Sequence, residues 1–96
     1  MRSLEESRAA IDAVDHQIVR LFEERMGIAR DVAAYKIEKG LPVLDRSREE
    51  QVLASREAML NDPYWAESVR VLYEAVMAIS RAEQEKLLKA AGEGQP

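Results

Sequence analysis

Two cations, Arg25 and Lys36, interrupt a stripe of apolar residues whose spacing is that of a helix. Eleven positions separate them. That is almost three whole turns, so both side chains point the same way, roughly 16 Å apart along the axis. A breaker at residues 40–42 follows, and after it comes a polar cluster of Asp45, Arg48 and Glu49. Cations on a core-facing stripe beside such a cluster predict a polar pocket for a small anionic ligand.

Three more polar residues fall on or near apolar stripes, namely Arg8, Ser80 and Gln84. Ser80 and Gln84 are four positions apart, so they share one helix face. Arg8 lies about 26 Å from Arg25 along the same helix, so it cannot reach the same pocket from the same chain. If two copies of this helix pack antiparallel, Arg8 of one approaches Arg25 of the other. That arrangement gives two equivalent sites in a two-fold dimer.

Each of these residues also has an ordinary structural interpretation. Arg8 suits a solvated or interface position, while Arg25 and Lys36 suit buried stems with charged ends in water. The carboxylates of residues 45–49 are favoured at the positive end of a following helix. Ser80 and Gln84 are common on plain helix surfaces. The joint arrangement, rather than any single residue, indicates a site.

The element that must position Arg8, Arg25 and Lys36 is one long helix. Ser3 is a candidate N-cap, with Glu6 completing a capping box, and apolar residues then recur in steps of three and four. A helix over residues 4–38 is about 50 Å long, whereas the mean helix has about 11–12 residues. A chain of 96 residues cannot cover it. We therefore expect it to lie against a second copy of itself.

Two further helices are predicted, and no segment has the pattern of a strand. Gly40 suits a left-handed helix cap, so residues 39–46 form the first connection and helix 2 starts near Ser47. Asp62-Pro63 marks a restart, with an N-cap followed by proline at the first helical position. Helix 3 runs from there to about Ala90. The prediction is an all-α chain with a long helix 1, a short helix 2 and a long helix 3.

Composition excludes several classes of function. We expect one domain over residues 1–91 and a disordered tail over residues 92–96. The net charge of −4 gives no field that would recruit nucleic acid or an anionic membrane. The absence of cysteine excludes disulfides and thiolate metal sites. No apolar run approaches the roughly 18 residues of a membrane helix, and no secretory signal is visible. We expect a cytoplasmic protein.

The combined pattern resembles the all-helical chorismate mutases, over about Leu4 to Leu88. The resemblance rests on Arg8-x-x-Ile11-Asp12-x-x-Asp15, Glu24-Arg25, Ala34-x-Lys36, Pro42-Val43-x-Asp45-x-x-Arg48-Glu49 and Ser80-x-x-x-Gln84. It implies a stand-alone, three-helix chain that forms an intertwined homodimer. It also implies the Claisen rearrangement of chorismate to prephenate, on the route to phenylalanine and tyrosine, with no metal and no cofactor.

The resemblance implies a role for each polar residue. Arg25 and the Arg8 contributed by the other copy would hold the two substrate carboxylates, assisted by Ser80. Lys36 and Gln84 would donate hydrogen bonds to the ether oxygen, where negative charge develops as the C–O bond breaks.

The polar cluster would form the remaining wall of the site. Glu49, with the Asp45 backbone or side chain, would orient the ring hydroxyl, and Arg48 would balance these carboxylates. Met77, one turn before Ser80, should line the pocket.

Two other functions remain open from the sequence. An isochorismate-pyruvate lyase has the same fold, arginines and lysine, whereas a non-catalytic helical dimer would need only the fold. Relatives also dock on a larger synthase, and such a partner would act by reshaping the loop near residues 39–46.

Overall fold

The computed structural model describes residues 1–93, and all its regular elements are helices. They are α1 (Leu4–Lys39), α2 (Arg46–Ala58), a short 3-10 helix (Pro63–Trp65) and α3 (Ala66–Glu93). No strand occurs among these described residues. The predicted all-α architecture, with a long first helix and a shorter second one, is confirmed.

The ends of α1 follow from local side-chain and backbone chemistry. Ser3 has extended backbone angles, and its Oγ accepts a hydrogen bond of 3.1 Å from the Glu6 amide. At the other end Gly40 takes the left-handed conformation, with φ of 68°, which a side chain would disfavour. The Leu41 amide then donates to the Lys36 carbonyl over 2.8 Å. The helix therefore ends at Lys39, one residue beyond the predicted 38.

The starts of the other two helices are fixed by aspartates. Asp45 Oδ1 accepts the Arg48 amide over 3.0 Å, so α2 begins at Arg46 rather than near Ser47. Asp62 Oδ1 accepts the Tyr64 amide over 3.0 Å, and the residues that follow form a tight 3-10 turn before α3 begins. The sequence signal at Asp62-Pro63 predicted this restart, although not its 3-10 geometry.

The C-terminal end of α3 differs from the predicted end near Ala90. The helix extends to Glu93 and so includes Gly92, which was expected to open a disordered tail. The rest of the predicted tail, residues 94–96, lies outside the described residues.

The chain is elongated, measuring 63 × 26 × 15 Å. Its radius of gyration is 17.3 Å, whereas a compact chain of this length has about 12–13 Å. α3 packs against both α1 and α2. The core is small: Val52, Leu53 and Met77 pack together with Tyr73 against them. No helix within residues 1–93 is both long enough and apolar enough to cross a membrane.

The N-terminal half of α1 has no such cover. Its large apolar side chains are each more than half exposed, at 56% for Ile11, 55% for Val14, 57% for Ile18 and 59% for Leu21. In the C-terminal half, by contrast, Ala29 and Ala33 are buried. One chain therefore leaves most of the apolar surface of its longest helix in solvent.

Candidate active site

The C-terminal half of α1, the loop that follows it, and the facing sides of α2 and α3 enclose a cavity of about 310 Å³. Seven of the eight residues that the sequence predicts for the site line this cavity: Arg25, Lys36, Asp45, Arg48, Glu49, Ser80 and Gln84. Apolar side chains, among them Ala29, Val43, Val52 and the predicted Met77, complete the wall. Helical spacing thus predicted a cavity that the fold forms.

Lys36 is held at the cavity by the loop between α1 and α2. Its Nζ donates a hydrogen bond of 2.6 Å to the backbone carbonyl of Val43, whose side chain is buried. An ammonium group has three N–H donors, so this contact fixes the side chain and leaves two donors for a ligand. The left-handed turn at Gly40 ends the helix and directs the loop back over Lys36.

Ser80 and Gln84 are buried polar residues on the cavity-facing side of α3. They are 8% and 7% exposed, and Gln84 Nε2 donates to Ser80 Oγ over 3.1 Å. Gln84 Oε1 is buried without a hydrogen-bond partner among the described residues. A buried unpaired oxygen costs about 1–3 kcal/mol. In this orientation Gln84 keeps a second N–H and the Ser80 hydroxyl keeps its proton, so both groups can donate to a ligand.

The polar cluster at the start of α2 is partly engaged in holding its own helix. Asp45 caps α2 with one carboxylate oxygen, and Arg48 Nη1 donates to Gln51 Oε1 over 2.8 Å. Glu49 instead faces α3, where Arg81 Nη1 donates to both of its carboxylate oxygens. Asp45 therefore has the helix-capping role that its place in the sequence allowed, and it also lines the cavity.

The two arginines of α1 lie at different places. Arg25 is half-buried at the cavity, and residues 1–93 provide no hydrogen-bond or ion-pair partner for its guanidinium. Arg8 is exposed on the uncovered half of α1 and does not line the cavity. This separation is what the helix geometry predicts within one chain.

Two cavity-lining residues, Arg56 and Arg81, were missed by the sequence argument. Arg56 follows Glu49 by seven positions, so both lie on one face of α2, and Arg81 comes directly after Ser80. Arg56 is engaged within the protein, with its guanidinium 5.8 Å from the Tyr73 ring centroid and a 2.8 Å hydrogen bond to Ser55 Oγ. The helical phase of Arg56 was therefore the signal that could have identified it.

The charge balance of the cavity is opposite to that of the chain. Five cationic side chains and two carboxylates line it, although the whole chain carries −4. Positive charge concentrated in a concave site with apolar walls attracts small anions strongly. This arrangement is suited to hold an anion with several donors at once.

Comparison with known proteins identifies the source of this arrangement. The family described as chorismate mutase type II matches residues 7–85. The chain belongs to this family. A chorismate mutase from Methanocaldococcus jannaschii is 27% identical over 90 residues, covering 93% of this chain and 91% of the relative. The resemblance to all-helical chorismate mutases is confirmed, and with it the assignment of the chain to the isomerases.

The family match also includes every predicted site position. The eight residues run from Arg8 to Gln84, inside the matched segment. Arg8, which the single chain leaves far from the cavity, is thus within the chorismate mutase part of the chain and not in an unrelated extension.

Proposed function

We propose that this chorismate mutase works as a homodimer whose two sites each combine seven residues of one chain with Arg8 of the other. The reaction is the unimolecular rearrangement of chorismate to prephenate. The observation that carries the proposal is the cavity itself: seven predicted groups from α1, α2 and α3 meet around one cation-rich space. The substrate is a dianion, so such a space is complementary to it.

Arg25 is the main anchor for a substrate carboxylate. A guanidinium presents a planar fork of donors that fits a carboxylate with two parallel hydrogen bonds. The Arg25 side chain is half-buried and free of protein partners among the described residues, so binding breaks no existing contact. Ser80 lies in the same cavity and can donate its hydroxyl to the same ligand.

Lys36 and Gln84 are the donors proposed to stabilise negative charge on the ether oxygen. The C–O bond breaks in the transition state, and negative charge builds on that oxygen. Donors held in advance, in a site that excludes water, stabilise this charge without reorganisation. Lys36 is held by the Val43 carbonyl and Gln84 by Ser80, so each donor is fixed by a protein contact of its own.

Glu49 and Asp45 are proposed to orient the ring hydroxyl, with Arg48 beside them. Both carboxylates line the cavity, Asp45 as the N-cap of α2 and Glu49 in its first turn. The substrate hydroxyl would donate to these protein carboxylates at one end, and a substrate carboxylate would accept from Arg25 at the other. Together the two contacts define the direction in which the substrate binds. Holding its flexible side chain over the ring in the reactive shape is the other half of catalysis.

The uncovered half of α1 supports the proposed homodimer. A row of apolar residues there is more than half exposed: Leu4, Ile11, Val14, Ile18 and Leu21. Burying one such side chain fully stabilises by roughly 1.5–3 kcal/mol, so covering the row is strongly favourable. An antiparallel second copy would cover it and bring its Arg8 to the Arg25 end of the first chain.

The loop over Lys36 is also the place at which we propose that a larger synthase partner acts. Because the Val43 carbonyl holds Nζ, a partner that moves the loop moves the catalytic donor with it.

The direct test is to mix the purified protein with chorismate and follow the loss of its ultraviolet absorbance, identifying the product by NMR. Prephenate is expected from the wild type and not from Lys36→Met, which has a side chain of similar length without the charge. Loss of one preorganised donor typically costs about 10²–10³ in turnover. The variant also controls for a contaminating host enzyme. Pyruvate release from isochorismate without turnover of chorismate would instead identify a lyase, and inactivity on both would leave a non-catalytic dimer.

A further inference from the structure

The ion pair between Arg81 and Glu49 crosses the cavity wall from α3 to α2. Arg81 Nη1 donates to both Glu49 oxygens, and the side chains are 35% and 24% exposed. Both residues line the cavity. Among residues 1–93, it is the one ion pair whose two members do so. The pair therefore lies at the wall of the proposed ligand site and not on the outer surface of the protein.

Other contacts besides this pair hold α2 against α3. The two helices already pack through Val52, Leu53 and Met77, with Tyr73 beside them. On the outer side Arg70 contacts both Glu50 and Glu57 of α2. What Arg81 adds is restriction of one particular carboxylate. A free Glu side chain samples many rotamers, whereas an arginine nitrogen between its two oxygens selects few of them.

The ion pair also balances the negative charge of Glu49 at this wall of the cavity. Glu49 alone would repel a dianionic substrate, while a hydroxyl-accepting carboxylate is what the ring end of that substrate requires. Arg81 balances the charge and still leaves acceptor positions, since a carboxylate has about four lone-pair sites and the arginine contacts use two of them.

We infer that Arg81 is a positioning residue: it holds the Glu49 carboxylate in the orientation that accepts the substrate hydroxyl. The inference rests on the proposed function, in which Glu49 contacts the ring hydroxyl. Arg81 itself contacts Glu49 and not the substrate. Its effect on the reaction therefore passes entirely through Glu49.

A double-mutant cycle tests this dependence. The kcat and KM for chorismate are measured for the wild type, Arg81→Gln, Glu49→Gln and the double variant, with melting temperatures of all four. Misplacing a catalytic group by about 1 Å can cost up to about a hundredfold, so Arg81→Gln is expected to lower kcat/KM by between tenfold and a hundredfold on that principle. In the Glu49→Gln background the same change is expected to alter kcat/KM by less than about twofold, because coupled residues are not additive.

Two further variants separate positioning from general stabilisation. Arg81→Lys should recover part of the loss, because a single nitrogen makes both contacts and an ammonium can replace it. Arg30→Gln breaks the α1–α3 ion pair with Glu83, which lies outside the cavity. It should leave kcat/KM unchanged. Arg81→Lys also keeps the test valid if Arg81→Gln fails to fold.

Three outcomes would overturn the inference. One is wild-type kcat/KM in Arg81→Gln. Another is an equal loss in both backgrounds, which would mean that Arg81 contacts the substrate directly or only supports the fold. A wild-type chain without activity on chorismate would overturn the proposed function together with this inference. Activity with an uncoupled Arg81 would overturn this inference alone.

Discussion

The two halves of α1 have opposite surroundings although they form one continuous helix. The C-terminal half packs on α3, buries Ala29 and Ala33, and presents Arg25 and Lys36 to a cavity. The N-terminal half is covered by nothing among residues 1–93 and carries exposed apolar residues at helical spacing. One half is therefore packed within a single chain, and the other is the surface that we propose as the dimer interface.

This difference indicates how the proposed site is divided between two chains. The packed half contains Lys36, one of the two groups proposed to contact the ether oxygen, and Arg25, proposed to hold one carboxylate. The bare half contains Arg8, the remaining arginine of the predicted set. In the proposed dimer a chain that assembles through its bare half would complete its site in the same step, which would couple activity to association.

The strongest test of this division of the site between two chains is to mix two inactive variants. Arg8→Ala and Arg25→Ala homodimers each lack one carboxylate anchor in both sites, so both are expected to be nearly inactive. After subunit exchange, half of the dimers are mixed and each mixed dimer has one intact site. About a quarter of the wild-type activity should therefore return.

The control for the mixing experiment is the formation of the mixed dimer itself, measured by native mass spectrometry with one variant isotopically labelled. Mixed dimers without any return of activity would contradict the contribution of Arg8 to the site of the other chain. A single variant that keeps near-normal activity would contradict the role of its arginine.

A charge placed on the bare half should separate assembly from chemistry. Ile18→Glu puts a carboxylate into the proposed interface, and burying an unpaired charge costs several kcal/mol. The dimer dissociation constant should rise by roughly a hundredfold or more. Activity per chain should fall at low protein concentration and recover as the concentration is raised. Analytical ultracentrifugation and an activity series over concentration check both effects.

His16→Glu is the matched control for this experiment. It introduces a glutamate two positions earlier, about 160° around the helix from Ile18, where the native residue is polar and exposed. It should leave association and activity near wild type. If Ile18→Glu behaves like this control, the exposed apolar row is not the dimer interface.

Most of the fold could be predicted because its signals are local. Helical periodicity and the caps at Ser3, Gly40, Asp45 and Asp62 act within a few residues, and the observed boundaries agree with them closely. The exception is the end of α3, where Gly92 remains helical. A single glycine costs only about 1 kcal/mol in a helix, so it does not by itself end one.

The site was predicted in part for the same reason. Arg25 and Lys36 share a helix, so their common direction follows from the helical repeat. Arg81 was missed because the sequence does not give the rotation of α3 against α2, which depends on how Met77 packs on Val52 and Leu53. Its pairing with Glu49, 32 positions away, is a tertiary contact that helical periodicity does not predict.

The smallest predicted effect concerns the ion pair that joins the packed half of α1 to α3. Arg30 donates two hydrogen bonds to Glu83 Oε1, at 2.7 and 3.2 Å. These bonds, opposed by partial burial and supported by Lys86, lower the pKa of the Glu83 carboxyl. Since the folded-state pKa is below the unfolded one, the unfolded chain binds the proton more readily. The stabilisation is present above the usual carboxyl pKa and is lost as the pH falls through the lowered value.

Arg30→Gln should therefore lower the melting temperature slightly at neutral pH, and the difference from wild type should shrink on acidification. Glu83→Gln and the double variant should each lose at least as much as Arg30→Gln, because both also remove the contact of 3.6 Å between Glu83 and Lys86. Calorimetry of the four proteins between neutral and acidic pH checks this. A difference that stays constant with pH would mean that Arg30 contributes by packing its stem. The packed half of α1 would then be held by apolar contacts alone, like the bare half in the proposed dimer.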